Sequence, residues 1–393
     1  MKSWKFVLSA LIAAGFAFGA VGAQAKNKEL KIGVIGALSG GGTAWGQGLL
    51  HGVTIAADEL NAKGGLKVGD TVYDLKIVAY DDQYNAAQAK SAAERLVNEE
   101  KVKFLFGPVG SPGALSAVPV TQPAHVIEFV DGYAPKILDN QWKDNSFVFR
   151  TGLSSQEFAD PMVAWVKKNL SDVKKIGVIA PNDAVGQQAI TSLVNRYKSQ
   201  GFDVWTDFYE RGTKEFTPVL LRMVAQNVDL FDLNANAPGE AALLIKQARE
   251  VGYSGKIIQA GGAGVNEIVQ AIGPAANGFL KYDIVDFDDP RLQPFVKKYK
   301  AKYSGIINGL APQYYNTARI LFEAISKAGT LDTTKVRDAI ENLQGWDAPI
   351  YGPLKWTGKK TYGVAHQILI PFYIDKVKDG KGVVIDTITP AGD

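Results

Sequence analysis

"KIGVI", residues 31–35, returns word for word at residues 175–179. Each copy runs into a loop, then a Gly-Gln pair (Gly46-Gln47 and Gly186-Gln187), then a helical stretch that stops at a glycine, Gly64 and Gly201. A short apolar run bounded by turn residues fits a strand buried on both faces of a parallel sheet. Two copies of one strand–loop–helix unit therefore predict an α/β protein of two similar lobes.

The units around each copy keep that rhythm. Strands are expected at 30–36, 75–79 and 104–106, with helices at 46–62 and 86–99 between them. After the second copy, strands at 204–209, 230–233 and 256–259 alternate with helices at 217–226 and 239–251. Alternation of this kind implies parallel sheets covered by helices. Helices near 290–303, 312–327 and 333–343 precede the tail "HQILIPFYI" (366–374), read as all strand and completing both lobes. No low-complexity or charged linker separates the halves, so several short crossings join them. The expected division is a signal segment at 1–25, a first lobe at 26–147 plus 286–352, and a second at 148–285 plus 353–393.

The N-terminus sets the compartment. Lys2 and Lys5 precede an apolar run from Phe6 to Ala20, which ends at Ala23-Gln24-Ala25. That is the pattern of a cleaved secretory signal, and the run is shorter than the roughly 20 residues a bilayer span needs. The chain has no cysteine, which removes disulfides, thiol catalysis, cysteine-held metal and a lipidated cleavage site. Loss of the signal brings the formal charge from +3 to +1, so nothing electrostatic argues for nucleic acid.

The glycine-rich turns carry no enzyme signature. Around Ser111 the order is Val109-Gly110-Ser111-Pro112-Gly113, which lacks the first glycine of a G-x-S-x-G nucleophile elbow. Only His51, His125 and His366 could serve a triad, and none has a distinctive acidic neighbour. Serine hydrolysis thus remains a distant alternative. No G-x-G-x-x-G or G-x-x-x-x-G-K-[ST] is present, and scattered histidines offer no metal cluster. No cofactor and no enzymatic activity are expected. Binding remains: the loops at 36–45, 107–113 and 131–135 follow strand ends, where open parallel sheets seat ligands. A glycine-rich loop entering a helix offers N–H groups to an anion, and Ser111 adds a hydroxyl. Trp45 either covers an apolar part of the ligand or packs its own lobe. Asp81-Asp82 is read as tying down its loop.

Four segments, "KIGVIGALSGGGTAWGQGLLHGVTIAADELNAKGG" (31–65), "YDDQYNAAQAKSAAERLVNEEKV" (80–102), "KQAREVGY" (246–253) and "YGPLKW" (351–356), resemble type I periplasmic solute-binding proteins of ABC importers. The nearest type is the leucine/isoleucine/valine-binding family. The resemblance implies two Rossmann-like lobes joined by a three-strand hinge that closes on a small organic solute. It also implies a periplasmic monomer serving membrane permease and ATPase subunits. Position by position, Gly110 and Ser111 match the carboxylate seat and Trp45 the covering aromatic. Asp131-Gly132-Tyr133 replaces a segment that usually carries a threonine. In the second lobe, Val185 after Asp183 stands where an aromatic is usual, and Asn236 lies in the next loop. Gly262 falls where the family's acid pairs an α-ammonium. Burying an unpaired ammonium is costly. The expected ligand is therefore a small aromatic or aliphatic carboxylate, or an amide, without that group, unless Asp131 or Asp183 replaces the acid. A leucine/isoleucine/valine receptor is the alternative.

Overall fold

In the computed structural model, residues 27–138, 142, 145–262 and 264–393 are described; the expected signal segment lies outside them. The first unit runs β1 (Lys28–Gly36), α1 (Thr43–Ala62), β2 (Leu66–Val68), β3 (Thr71–Asp81), α2 (Ala86–Asn98), β4 (Phe104–Val109), α3 (Ser111–Thr121), β5 (Ile127–Asp131) and β6 (Val148–Arg150). The second runs α4 (Ser155–Asn169), β7 (Lys175–Pro181), α5 (Ala184–Ser199), β8 (Asp203–Tyr209), α6 (Thr217–Ala225), β9 (Leu230–Asp232), α7 (Pro238–Glu250), β10 (Lys256–Gln259), α8 (Val265–Ile272) and β11 (Leu280–Asp283). The chain then returns through α9 (Gln293–Lys302), α10 (Leu310–Ala328) and α11 (Thr333–Glu341). It closes with β12 (Asp347–Ala348), β13 (Gly352–Pro353), β14 (Trp356–Thr357), α12 (Lys359–Tyr362), β15 (Gln367–Ile368), β16 (Phe372–Lys378) and β17 (Lys381–Ile388).

The two large sheets repeat one order. The first contains β3-β1-β4-β5-β6 and the second β8-β7-β9-β10-β11, both the doubly wound 2-1-3-4-5 arrangement. The two KIGVI copies are β1 and β7, second in their sheets, so the repeat is structural. Its invariant features have the same cause in each lobe. Gly33 lies under Leu96 of α2 and Leu105 of β4, and Gly177 under Met223 of α6 and Phe231 of β9. The glycine of each Gly-Gln pair touches the preceding strand end. A Cβ at Gly46 would stand 2.2 Å from the Ala37 carbonyl oxygen, and one at Gly186 2.0 Å from that of Pro181.

Two expectations change. The tail at 366–374 is not one strand: β15 joins the first sheet beside β6, and β16 joins the second beside β11. Pro371 lies between them and has no N–H to continue a ladder. In addition, β6, β14 and β15, placed by the sequence boundaries in the second lobe, pair into the first sheet. The chain thus crosses between sheets three times, at 151–154, 284–292 and 369–371.

Candidate functional site

A cleft of about 660 Å³ opens between the lobes at the carboxyl ends of the parallel strands. On the first-lobe side, the candidate seat is the β4–α3 turn, where Gly110 and Ser111 line the cleft. Gly110 takes φ +93°, and its N–H donates to the Asp131 carbonyl at 2.6 Å. Ser111 then opens α3, only 5% exposed, at the positive end of the helix. The Ala134 N–H donates to Ser111 Oγ at 3.0 Å. That bond occupies an oxygen lone pair and leaves the hydroxyl proton to be donated; among the described residues it meets no acceptor.

Aromatic rings wall the seat. Trp45, in the first turn of α1 and 7% exposed, lies 5.5 Å from Tyr84 between ring centroids. Tyr84 roofs the turn so closely that a Cβ at Gly110 would be 2.6 Å from its ring. Tyr84 is held there by the acidic pair in its loop. Asp82 Oδ1 accepts the Tyr84 N–H at 2.8 Å, and Asp81 accepts the N–H groups of Leu38 and Gln83. The tie-down role read from Asp81-Asp82 thus positions a cleft residue that the sequence did not single out.

The Asp131-Gly132-Tyr133 segment lines the same side. Gln313 Nε2 donates to Asp131 Oδ2 at 2.7 Å. Burial raises the Asp131 carboxyl to about 6, against the opposing pull of Gln313 and the Arg150 charge. Gly132 passes close to Ile137 and Ser111, with no room for a side chain. Tyr133, in the segment that lacks the family's threonine, spans the cleft with its ring. Its hydroxyl accepts the N–H of Gly262 in the other lobe.

Gly262 has φ +84°, and a Cβ there would stand 3.4 Å from the Trp45 ring. An acidic side chain at this position would meet both left-handed backbone strain and the indole. Asn236 lines the cleft, but its amide is spent within the protein. Nδ2 donates to Ile179 O at 2.7 Å and Leu233 O at 2.8 Å, and Oδ1 accepts from Tyr209. Asp183 stands outside the cleft lining. It accepts the Gly186 N–H at 2.8 Å, capping α5, and pairs with Arg211 at 2.7 Å. Val185 falls in the first turn of α5, and its side chain lies outside the described residues. Tyr282, Ile284, Leu153 and Leu310 also line the cleft and were missed, because they are apolar or aromatic residues brought there by elements far apart in sequence.

No histidine joins this cleft. His51 contacts Tyr299, His125 stacks on Phe147, and His366 bonds Val148 O and Glu341. No histidine therefore stands beside Ser111. Among the described residues no cluster is arranged to hold a metal ion, and no helix is long and apolar enough to cross a membrane.

The lobes are in contact. Asn308 Nδ2, on the first lobe, donates to Glu267 Oε1 of α8 at 2.8 Å, and Arg211 lies 5.2 Å over the Tyr84 ring. Asn308 Oδ1 also caps α10 through the Leu310 N–H. Asn308→Asp keeps that cap but sets a carboxylate against Glu267. It is expected to raise the ligand off-rate about tenfold or more, read by stopped-flow tryptophan fluorescence. An unchanged off-rate would show that this pair does not hold the lobes shut.

Residues 29–381 match the family described as periplasmic binding protein. The chain is a member of that family. Its relatives place it with the type I, leucine/isoleucine/valine-binding branch. A Leu/Ile/Val-binding protein homolog 7 from Brucella abortus is 26% identical over 347 residues, covering 84% of this chain and 85% of that protein. A leucine-binding protein from Thermotoga maritima superimposes with TM-score 0.80 at 23% identity, covering 92% and 99% of the two chains. An ABC-transporter solute-binding protein from R. palustris, solved with benzoate, gives TM-score 0.78 at 22% identity over 93% and 98%. The periplasmic binding protein described here is thus a solute-binding component of the branched-chain amino-acid transporter type, and its family consists of binding proteins.

Proposed function

We propose that this binding protein captures a small organic carboxylate or amide without an α-ammonium, aromatic in character, and closes on it. The loaded form would then be read by permease and ATPase subunits of an ABC importer. The signal pattern at 1–25 supports action in the periplasm. The observation that carries the ligand reading is the Gly262 corner. There the Tyr133 hydroxyl takes the backbone N–H and Trp45 covers the space where an ammonium-pairing acid would project. Ser111 and the α3 N-terminus provide for the anion, while Trp45, Tyr84, Tyr133 and Tyr282 offer apolar ring faces. Relatives that bind leucine and benzoate are compatible with either ligand class.

A second reading rests on Asp131, whose carboxyl lines the cleft and could pair with an amino acid's ammonium. Proton linkage separates the two. The Asp131 carboxyl sits at about 6, among Gln313, Arg150 and the neutral phenols of Tyr133, Tyr282 and Tyr314. An incoming benzoate anion pushes it higher, so binding takes up a proton and tightens as pH falls through 6. An incoming ammonium pulls it lower, so leucine binding weakens over the same range. Calorimetry at about pH 5.5 and 7.5 should show benzoate binding several-fold tighter at the lower pH. Leucine binding that is tighter at the higher pH, with no binding of benzoate, would overturn the proposal.

A further inference from the structure

Side chains on a strand alternate between faces. In β11, Lys281 and Asp283 fall on one face, in a buried ionic group with Asp375. Tyr282 falls on the other and lines the cleft with Ile284. Tyr282 is 0% exposed, and its ring is fixed between Phe158 and Phe372 at centroid distances of 5.2 and 5.0 Å. Phe158 in turn stands edge-on to Tyr133. The orientation is therefore set by packing, yet the Tyr282 hydroxyl has no hydrogen-bond partner among the described residues. A buried hydroxyl without a partner is costly and calls for an explanation. Burial holds this phenol well above its usual range, so it is neutral, able to donate and to accept.

Asp131 lines the same cleft from the first lobe, near enough for its charge to act on the Tyr282 phenol. One of its oxygens takes Gln313 Nε2; the other has no donor among the described residues. Both groups sit on the hinge side of the cleft. Gly152, packed against the Asp131 carboxyl, leads into the first crossing, and Ile284 opens the second.

We propose that Tyr282 is a specificity-determining residue that, together with Asp131, reads a hydroxyl group on the ring of the bound solute. One ring hydroxyl satisfies both groups: it donates its proton to the Asp131 oxygen and accepts from the Tyr282 hydroxyl. A bare ring edge or a methyl group leaves both unpaired. The solute class is thereby narrowed to small hydroxy-aromatic carboxylates over unsubstituted ones. The inference rests on the reading that the cleft takes an aromatic carboxylate.

The test is titration calorimetry of the purified protein with benzoate, 3- and 4-hydroxybenzoate, and the matching methylbenzoates. At least one hydroxybenzoate should bind the unaltered protein about tenfold tighter than benzoate and than its methyl counterpart. Tyr282→Phe should erase that preference, bringing the hydroxy and methyl compounds to equal affinity. A preference that survives Tyr282→Phe overturns the inference, as does equal binding of hydroxy and methyl compounds by the unaltered protein, which needs no variant to fold. If benzoate binds well without any preference, only this inference falls. If none of the aromatic acids binds and leucine does, the proposed ligand class falls with it.

Discussion

Ser111→Ala is expected to weaken binding of a small carboxylate by roughly 10- to 100-fold, the loss of one hydrogen bond to a charged group. The same substitution removes the acceptor for the buried Ala134 N–H. It should therefore also cost about 1–2 kcal/mol of stability, seen as a modest fall in Tm. The two effects come from opposite sides of one oxygen: the lone pair holds the 131–135 loop and the proton is left for the ligand. Calorimetry and a thermal melt on the same preparation read both. Unchanged affinity alongside the lowered Tm would reduce Ser111 to a loop fastener and move the anion seat to the backbone of α3.

Gly52→Ala should damage the fold itself. Helices α1 and α10 cross at this glycine, and a Cβ there would stand 2.1 Å from the Ala311 carbonyl oxygen and 2.8 Å from the Tyr315 nitrogen. Both are backbone atoms of α10, so no side chain can turn aside and the helices must separate. Overpacking relieved only by backbone movement costs on the order of 3 kcal/mol or more, which lowers Tm by roughly 10 °C in a domain of this size. Gly41→Ala, with nothing within 4 Å of the added atom, is the control and should melt close to the unaltered protein. Matching melts for the two variants would refute the observed crossing.

The lobes were legible in the sequence because their cause is local. A parallel strand buried on both faces must be an apolar run, and a helix that abuts its strand end must begin with a glycine. KIGVI and the Gly-Gln pairs record those two demands in each lobe. The turn proposed to seat the anion was legible for the same reason: Gly110, with its positive φ, and Ser111 are adjacent in sequence and reach the cleft together. Asn236 and Asp183 were less legible. Both are polar residues on loops expected to face the cleft. Partners 28 or more residues away (Ile179 for Asn236, Arg211 for Asp183) engage their side chains.

The sequence by itself thus determined the fold class, the repeated unit and the turn that brings Ser111 to the cleft, all carried by neighbouring residues. Only the tertiary structure decided that Pro371 divides the tail between two sheets and that Tyr84 and Tyr282 join the wall. It alone also showed that the Tyr133 hydroxyl and Trp45 close the corner over Gly262. Those outcomes depend on contacts between residues from tens to more than two hundred positions apart, whose geometry is set by how separately built elements come together and leaves no local pattern in the chain.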